Sequence, residues 1–480
     1  MTPTSIFAAF SRSADAYGGG AAVITSKSST TYDTLRSGVL LLAGHLAPSA
    51  DGAPVAILSD IAHNVLTAFL ACAAAGRPAL VLDPALPPPR IQSLIRRYGV
   101  PLLALEEKFM PSFADHPTLV FGRPRERIPS SPTIVDSEAE FYWGLTSGST
   151  GEPKLFARSH RSWLESFGAA EQLFSFPPHS RILIPGPLNH SLFLYGAIHA
   201  LCRGHTVFTP GAFRPDRAVA AARQTTHAYV VPSMLAEMLD CGLDGTKLGI
   251  IFCGGAKLPA SLRKRCEARL GRVDLVEFYG ASETSFIASS STTRPAAQGS
   301  VGRPFPGVNL DIRDASGKSL PPDTEGDVYV HSRMLFSRYV DGSPHTGWFT
   351  AGDIGFLDDD GNLHLTGRRN RVINSRALKI RPEPIEEALL ELPGVVRAAV
   401  VDLPDAIRGA IAVAAVEFAA GQSLARRILS EHCRAKIGAR FCPRSYYSAE
   451  ALPLTQSGKI AFSQLRNALL SRNPRFRVLT

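Results

Sequence analysis

The chain has 480 residues, of which 45% are hydrophobic and 19% charged. This composition is typical of a soluble globular protein, and the length exceeds one ordinary domain. The seven cysteines form no CxxC pair, which argues against a metal cluster and a disulfide framework and favours a reducing, cytoplasmic location. The N-terminus shows no signal peptide, and no apolar run is long enough to predict a membrane span.

The formal net charge of +9 is concentrated towards the C-terminus. Residues 370–480 carry 17 lysines and arginines against 9 aspartates and glutamates, whereas the rest of the chain is nearly neutral. Such an excess usually serves solubility, but it also fits an anionic partner such as the phosphates of CoA or an acidic carrier protein. No nucleic-acid-binding motif accompanies the charge, so we expect no nucleic-acid partner.

Helical and strand-like patterns alternate along the first part of the chain. Apolar residues at helical spacing predict an early helix at 32–46. Short apolar runs predict strands at 54–58, 78–82, 101–105, 181–184, 206–208, 228–231 and 249–252. Helical segments separate these runs, and a β-α-β order of this kind predicts mostly parallel sheets covered by helices.

The pattern changes twice towards the C-terminus. Short strands separated by Asp/Gly turns predict a more antiparallel, β-rich subdomain at 308–365. Beyond it, a compact α+β region contains helical patterns at 386–392 and 424–433 and strands at 397–401 and 410–418. We therefore predict an α/β protein with a large N-terminal domain, 1–369, and a small C-terminal domain, 370–480, joined by a hinge.

A run of glycines and hydroxyl side chains, Gly144-Leu-Thr-Ser-Gly-Ser-Thr-Gly-Glu-Pro-Lys154, interrupts the α/β pattern. Glycines let backbone N–H groups approach a phosphate closely, while the hydroxyls and the lysine add donors and positive charge. The spacing differs from that of a Walker loop, and Gly/Ser/Thr clusters are commonly plain surface loops. The run alone therefore leaves phosphate binding and a surface loop about equally open.

Five shorter segments follow that also carry reactive or ligand-binding side chains. They lie at 187–193, 252–259, 277–284, 348–353 and 452–459. In the third segment, Tyr279 can stack on a purine, Gly280 permits close backbone approach and Glu283 offers a hard oxygen ligand for Mg²⁺. A helix N-cap at Ser282 is the alternative interpretation, but it accounts for only one residue of the segment.

Taken in order, these segments resemble the motifs of the acyl-adenylate-forming superfamily, which includes acyl-CoA synthetases, non-ribosomal adenylation domains and luciferases. The resemblance covers nearly the whole chain. It implies an N-terminal domain that binds ATP, with Mg²⁺ as cofactor, and a mobile C-terminal domain that carries a catalytic lysine.

The resemblance implies a nucleotide site drawn from several segments. Its phosphate loop comprises Thr146, Ser147, Gly148, Ser149, Thr150, Gly151 and Lys154. The other implied nucleotide-binding residues are Gly254, Gly255, Ala256, Tyr279, Gly280, Ala281, Ser282, Asp353 and Arg368. Within this set, Asp353 is the expected ribose ligand and Arg368 a contact to ribose and phosphate, while Thr150 and Glu283 are the expected Mg²⁺ ligands.

A second group of residues concerns the carboxylic acid. By resemblance, the acyl pocket contains His190, Ser191, Phe193 and Gly254, and the catalytic residues are Lys459, Glu283 and His190. Lys459 is expected to reach across the domain interface and stabilise charge that develops as pyrophosphate leaves. Relatives that activate amino acids place an aspartate near the pocket for the substrate ammonium, and none is seen here. An aryl acid or a short-to-medium acyl acid is therefore expected.

One departure from the family pattern follows the hinge position, which Asn370 occupies. Arg376 and Ala377 stand where the family usually carries glycines, in a loop that lines the pantetheine tunnel of relatives. The expected acceptor is a phosphopantetheine thiol, on an acyl carrier protein or on CoA. The bulk and charge of this loop, together with the basic C-terminal domain, favour the carrier protein.

The sequence thus predicts a small-acid ligase that forms an acyl-adenylate and then transfers the acyl group to a thiol. Two alternatives stay open. One is the same adenylation followed by amide formation or oxygenation, and the other is a catalytically inactive regulator that binds acyl-AMP. The retention of Glu283, Asp353 and Lys459 argues against the regulator.

Overall fold

A computed structural model describes residues 3–46, 52–123, 132–146, 154–244, 247–376, 378–455 and 459–480. The helices are α1 Ile6–Tyr17, α2 Tyr32–His45, α3 Ala62–Ala74, α4 Pro88–Arg97, α5 His160–Leu173, α6 Ser191–Cys202, α7 Pro215–Ala222, α8 Pro232–Asp240, α9 Ala260–Leu270, α10 Pro382–Leu390, α11 Arg426–Ile437 and α12 Phe462–Leu470. The strands are β1 Ala21–Thr25, β2 Ser29–Thr31, β3 Val55–Leu58, β4 Ala79–Val81, β5 Leu102–Leu105, β6 Thr118–Val120, β7 Glu140–Thr146, β8 Lys154–Ser159, β9 Arg181–Leu183, β10 Thr206–Thr209, β11 His227–Val230, β12 Ile250–Cys253, β13 Asp274–Ala281, β14 Ser285–Ser290, β15 Arg303–Pro304, β16 Val308–Arg313, β17 Gly326–Ser332, β18 Arg338–Tyr339, β19 Asp353–Leu357, β20 Leu363–Arg368, β21 Ile373–Ser375, β22 Leu378–Ile380, β23 Val395–Asp405, β24 Gly409–Phe418, β25 Ser445–Ala449 and β26 Arg477–Val478.

Two mostly parallel sheets form the large N-terminal domain, which confirms the predicted fold class. One has seven strands in the order β18-β8-β7-β4-β3-β5-β6, and the other has nine in the order β15-β14-β13-β12-β11-β9-β10-β1-β2. Strands β3 to β7 and strands β9 to β13 pair in parallel. The antiparallel strands are β8 and β18 at one edge of the first sheet, and β2, β14 and β15 at the two edges of the second. The parallel strands are apolar on both faces because helices cover both sides.

A layer of helices lies between the two sheets. Helix α3 packs on β3 and β4, α6 packs on β9, β10 and β11, and α1 contacts both helices. Ten of the residues of α6, from Phe193 to Cys202, are buried. A helix that is apolar all round is expected in such a position, because no face of it meets water.

The β-rich subdomain contains a four-stranded antiparallel sheet in the order β16-β17-β19-β20. This arrangement confirms the change of pattern that the sequence shows after residue 308. The sheet matters for function because β19 begins and β20 ends with charged side chains, Asp353 and Arg368, which are paired across the ladder.

The C-terminal domain is a six-stranded sheet covered on both faces by helices. Along β23 the buried side chains alternate: Ala398 and Val400 pack with α10 and α11, whereas Ala399 and Val401 pack with α12. This alternation follows from the two-residue period of a strand. The domain boundary at Asn370 remains a prediction.

Two details of the predicted elements differ from the structure. Helix α10 begins at Pro382, four residues before the predicted start, because proline is well suited to the first turn of a helix. The strand predicted at 397–401 extends over Val395–Asp405, as the antiparallel pairing with β24 continues to the hairpin turn. Among the described residues, no helix combines the length and the apolar character that crossing a membrane requires.

Candidate active site

The predicted phosphate loop connects two antiparallel strands. Thr146 ends β7 and pairs with Lys154, which begins β8, and the Thr146 hydroxyl lies 3.4 Å from the Lys154 carbonyl oxygen. The Lys154 ammonium lies 5.4 Å from the centre of the Tyr339 ring on β18. The loop residues Ser147, Gly148, Ser149, Thr150 and Gly151 lie outside the described residues, so their predicted contacts to phosphate and Mg²⁺ stay predictions.

The second predicted motif forms the end of β13 and the turn into β14. A Cβ atom on Gly280 would lie 1.9 Å from the carbonyl oxygen of Ser285, so only glycine fits where the two strands approach. The turn contains Ser282 and Glu283, after Ala281 at the end of β13. Ser282 is therefore not a helix N-cap, and the alternative interpretation of this segment was wrong.

Glu283 is buried, with 9% of its surface exposed. The Tyr339 hydroxyl donates to its Oε1 atom at 3.3 Å, and the Phe336 N–H donates to its carbonyl oxygen at 2.7 Å. Burial raises the pKa of the Glu283 carboxyl, while Arg158 and Arg368 act in the opposite direction. A buried carboxylate with so few hydrogen-bond donors has room for a cation.

Asp353 is the centre of a hydrogen-bonded triad. Its side chain is buried, and it accepts a bond from the Tyr279 hydroxyl and another, at 2.7 Å, from Nε of Arg368. Burial, followed by the neighbouring Asp353 charge, raises the pKa of Tyr279 well above its usual range. The sequence predicted separate roles for these three residues but gave no signal for the Tyr279–Asp353 bond, which joins positions 74 residues apart.

At the carboxyl end of β12, side chains from other segments pack closely against the backbone of two glycines. A Cβ atom on Gly254 would lie 2.3 Å from the Phe278 ring, and Gly255 has a φ angle of +84°. The same hypothetical atom on Gly255 would lie 3.4 Å from Cε of Lys459. Ala256 follows at the surface. The ends of β7, β12 and β13 thus face one region, as expected for ligand binding in a parallel α/β sheet.

Lys459 brings the C-terminal domain into this region. The residue is exposed overall, yet its side chain approaches Gly255 and the strand ends closely enough that desolvation, followed by the nearby Arg368, lowers its pKa. Glu283 and Asp353 are close enough to oppose this effect. The structure therefore brings together the lysine, both carboxylates and the arginine that the sequence singled out.

His190 lies at the same end of the cleft, immediately before α6. Its Nε2 atom is buried and has no hydrogen-bond partner among the described residues. Burial, followed by the charge of Lys459, lowers the pKa of His190 to about 4, so the imidazole is neutral at physiological pH. The next residue, Ser191, shares a hydrogen bond of 3.1 Å with the Tyr142 hydroxyl. Phe193 is buried and packs directly over Gly186.

Asn370 lies in a short 3₁₀ turn, Arg369–Arg371, between the two domains. Arg369 donates to Asp327 of the large domain, with Nε and Oδ1 2.9 Å apart. Arg371 is tied to Glu386 of the C-terminal domain at 2.6 Å. The predicted hinge thus has one anchored arginine on each side, an arrangement that the sequence did not reveal.

The departure from the family pattern falls at a strained position. Arg376 has a φ angle of +56°, in the turn between β21 and β22 where glycine would be free of strain. Its N–H donates to the Arg408 carbonyl oxygen at 2.9 Å. Ala377 lies outside the described residues.

No group of three or more histidine, cysteine, aspartate or glutamate side chains that could hold a metal ion occurs in the described part of the chain. This arrangement fits Mg²⁺ that arrives with a nucleotide, because such an ion is usually held by one or two carboxylates together with substrate phosphates. Glu283, which is buried, is the described residue that the sequence predicts as a protein ligand of this ion.

Comparison with known proteins gives a consistent result. Residues 10–340 match the family model "AMP-binding enzyme", and residues 384–459 match "AMP-binding enzyme C-terminal domain". The uncharacterized acyl-CoA ligase YhfT of Bacillus subtilis (strain 168) is 36% identical over 425 residues, which cover 86% of this chain and 88% of that protein.

Solved structures share the whole architecture. The amide bond synthetase McbA from Marinactinospora thermotolerans superposes with a TM-score of 0.86 and 28% identity, covering 97% of this chain and 99% of that one. ATP-bound MatB from Rhodopseudomonas palustris superposes with a TM-score of 0.88 at 21% identity, covering 97% and 98%, a likeness of fold alone.

Proposed function

Since the chain belongs to the AMP-binding enzyme family, we propose that it is an ATP-dependent carboxylic acid ligase that forms an acyl-adenylate and transfers the acyl group to a thiol. The single observation that carries this proposal is the position of Lys459. A lysine from the C-terminal domain lies beside Gly255 and within electrostatic reach of Glu283 and Asp353. A nucleotide bound at these strand ends would meet groups from both domains.

In the first step, a carboxylate oxygen of the acid attacks the α-phosphorus of ATP. The bond from that phosphorus to the bridging oxygen of the β-phosphate breaks, and pyrophosphate leaves. Lys459 stabilises the negative charge that develops, because its ammonium lies within electrostatic reach of the groups that would bind the nucleotide, Glu283 and Asp353. Mg²⁺, when bound, neutralises phosphate charge, and Glu283 with Thr150 would hold it.

The nucleotide is oriented by the triad around Asp353. We assign the ribose hydroxyls to this carboxylate and a phosphate or ribose contact to Arg368. The Tyr279 hydroxyl already bonds one Asp353 oxygen, so the ribose binds a carboxylate whose orientation is fixed in advance. Fixing a ligand-binding group before the ligand arrives reduces the entropy lost on binding.

The acid is placed by the start of α6. His190 offers a buried Nε2 atom with no protein partner in the described residues, next to the cleft that Lys459 enters. We propose an aryl acid or a short-to-medium acyl acid, because the walls of this region, Tyr142 and Phe193, are aromatic and buried. A neutral imidazole can bond the acid without adding charge to the pocket.

The acceptor is a phosphopantetheine thiol. The thiol sulfur forms a bond to the acyl carbon, AMP leaves and the thiol proton is released. The acyl-CoA ligase name of the relative at 36% identity supports CoA as the carrier of this thiol. An acyl carrier protein, which the basic C-terminal domain favours, stays a prediction. Four exposed arginines with no acidic partner among the described residues would face it: Arg426, Arg434, Arg440 and Arg444.

Amide formation is a second candidate, and two observations favour it. The amide bond synthetase with 28% identity covers 97% of this chain. In addition, a strained Arg376 replaces glycine in the loop that resembles the pantetheine-lining loop. In this case an amine nitrogen, rather than a thiol sulfur, would bond to the acyl carbon as AMP leaves.

The test is product analysis with a panel of aryl and aliphatic acids, Mg·ATP and one acceptor at a time. The acceptors are CoA, a holo acyl carrier protein and a set of primary amines. We expect AMP, pyrophosphate and an acyl thioester whose mass matches one acid. Amide without thioester would replace thiol transfer with the second candidate, and the absence of both products and of AMP would overturn the proposal.

A further inference from the structure

Arg158, on β8, is a buried cation that the proposed chemistry does not use. Only 1% of its surface is exposed. Among the described residues, no carboxylate lies within ion-pairing distance of its guanidinium. Burying an unpaired charge is strongly unfavourable unless hydrogen bonds and a nearby opposite charge compensate it. We therefore looked for a role of Arg158 in the segments that accept its hydrogen bonds.

The guanidinium donates to three segments at once. Its Nη1 donates to the Ser282 carbonyl oxygen at 2.7 Å, and its Nη2 donates to the Ser285 hydroxyl at 2.6 Å and to the Met334 carbonyl oxygen at 2.7 Å. Its Nε donates to the Ser162 hydroxyl at 3.1 Å. Two of these acceptors, Ser282 and Ser285, flank the turn that carries Glu283.

That turn needs support. Ser285 has a φ angle of +59°, a left-handed conformation that is strained in a residue other than glycine. Such a conformation persists only when the surroundings fix it. The bond from Arg158 to the Ser285 hydroxyl, and the bond from the Phe336 N–H to the Glu283 carbonyl oxygen, attach the turn to β8 and to the segment after β17.

We propose that Arg158 is the positioning residue for the adenylation site: it fixes the Glu283 turn so that the carboxylate is held ready for the cation of the nucleotide. The proposal rests on the function proposed above for Glu283. Arg158 acts through the turn and through its charge, and it touches no substrate. Lysine cannot replace it, because a compact ammonium group cannot reproduce the planar guanidinium that reaches four acceptors in three segments.

Charge and geometry can be separated experimentally. Glu283 is faced by Arg158 from β8, the Tyr339 hydroxyl from β18, Arg368 from β20, the Tyr142 hydroxyl from β7 and Lys459 from the C-terminal domain. Arg158→Met removes both the planar guanidinium geometry and the positive charge. Arg158→Lys removes the guanidinium geometry but keeps the charge. Because the geometry of the guanidinium holds the turn, both variants should loosen it, whether or not the positive charge is kept.

Arg77 provides a matched control. It is also buried, and it donates to three backbone carbonyl oxygens, those of Leu46, Ala53 and Pro54, away from the cleft. Arg77→Met and Arg158→Met remove comparable hydrogen-bond networks. A merely structural role for Arg158 predicts the same results for both variants.

The first readout is hydrogen–deuterium exchange of peptides that cover residues 281–286, which requires no activity. We expect faster exchange there in both Arg158 variants and not in Arg77→Met. If the wild type formed no adenylate with any acid, the proposed function would fall, but this readout would still decide whether Arg158 holds the turn. Unchanged exchange in both Arg158 variants would overturn the proposal.

The second readout is pyrophosphate exchange as a function of Mg²⁺ concentration. We expect the Mg²⁺ midpoint to rise about tenfold in both variants, the lower range for loss of an outer partner of a metal ligand. In Arg77→Met the midpoint should stay at the wild-type value. If Arg158→Met does not fold, Arg158→Lys carries the test, and an unchanged Mg²⁺ midpoint in it would contradict the proposal.

Discussion

The two domains contribute to the candidate site in opposite ways. The large domain supplies buried, mutually bonded groups: Tyr279, Asp353 and Arg368 form one network, and Arg158 fixes the Glu283 turn. The C-terminal domain supplies a single exposed lysine, Lys459, on a surface loop. In the function proposed above, binding geometry therefore belongs to the large domain, whereas the lysine assigned to the chemical step belongs to the C-terminal domain.

The contacts between the domains support this contrast. Near the hinge, Arg381 of the C-terminal domain pairs with Glu325 of the large domain, and Glu387 pairs with Lys257 at 2.5 Å. All four side chains are partly exposed, and exposed ion pairs stabilise by roughly 0–1 kcal/mol each. An interface built from such pairs orients the C-terminal domain without locking it, as a two-step reaction requires.

The largest effect is expected for Lys459→Ala, which tests the role assigned to the C-terminal domain. Removing one preorganised contact to a developing charge costs roughly 2.7–4 kcal/mol, a 10²–10³-fold loss of pyrophosphate exchange. Binding of a non-reactive acyl-adenylate analogue, measured by calorimetry, should change far less, and the fold should survive. Lys436→Ala, an exposed lysine on α11, is the control. Exchange at a near wild-type rate in Lys459→Ala would remove the lysine from the chemistry.

Glu283→Gln tests the rigid half of the site. The change keeps the shape of the side chain and removes a carboxylate oxygen, so the Mg²⁺ concentration for half-maximal exchange should rise about 10–100-fold. Glu277→Gln is the matched control, because Glu277 is also buried on β13 but bonds Arg263 and the Leu258 N–H. If the Mg²⁺ titration of Glu283→Gln matches that of the wild type, Glu283 is not a ligand of the ion.

The two domains should also differ in acid stability. Burial lowers the pKa of four histidines of the large domain to about 4: His160, His190, His205 and His227. The unfolded chain binds these protons near pH 6.5, so stability is lost as the pH falls from 6.5 towards 4, by up to about 1.4 kcal/mol per pH unit for each histidine.

The measurement uses the three tryptophans, all of which precede residue 370 and therefore report on the large domain. Urea unfolding followed by their fluorescence should show a midpoint that falls steadily below pH 6.5. Hydrogen exchange of the C-terminal domain, which has a single histidine, His432, should change less over the same range. A midpoint for the large domain that is flat between pH 6.5 and 4 would contradict the prediction.

The smallest expected effect concerns the orientation of the C-terminal domain. Glu325→Gln removes the pair with Arg381 and should lower pyrophosphate exchange by at most about fivefold, since an exposed pair contributes under about 1 kcal/mol. Glu138→Gln, which removes an ion pair with Arg161 within the large domain, should leave the rate unchanged. A loss above tenfold would show that the interface is locked rather than adjustable.

The salt dependence of the two steps tests whether an acidic carrier protein docks on the C-terminal domain. Near one molar salt the Debye length falls to about 3 Å, so docking of an acidic carrier protein on the basic C-terminal domain should weaken steeply. Adenylation inside the cleft should fall much less. Turnover should also be compared between saturating CoA and each carrier protein. If CoA supports equal or faster turnover than every carrier protein tested, a carrier protein is excluded as the preferred acceptor.

Local pattern was sufficient to predict the fold class. The parallel strands are short apolar runs, so β3, β5 and β11 appear within a residue or two of their predicted positions. Strand β1, by contrast, was not predicted. It pairs between β10 and β2, and this pairing depends on contacts with residues about 180 positions away in the sequence. The strand propensity of a short segment does not depend on such distant contacts, so it could not predict β1.

The same distinction holds in the site. Lys459, Glu283 and Asp353 were found because each lies in a recognisable motif. Arg158 was missed, because the partners that link it to the site, Ser282, Ser285 and Met334, are 124 to 176 residues away and an arginine in a strand gives no signal of its own. Sequence motifs thus identified the groups to which we assign substrate contacts, whereas the groups that hold them in place are visible only in three dimensions.

The most direct test of the central claim is acid-dependent exchange of labelled pyrophosphate into ATP, measured without any acceptor. The wild-type protein should catalyse this exchange with at least one aryl or short-to-medium acyl acid, in the presence of Mg²⁺, and Lys459→Ala should lose it. Tight binding of an acyl-adenylate analogue, without exchange for any acid in the panel, would contradict the claim and indicate a binding protein instead of a ligase.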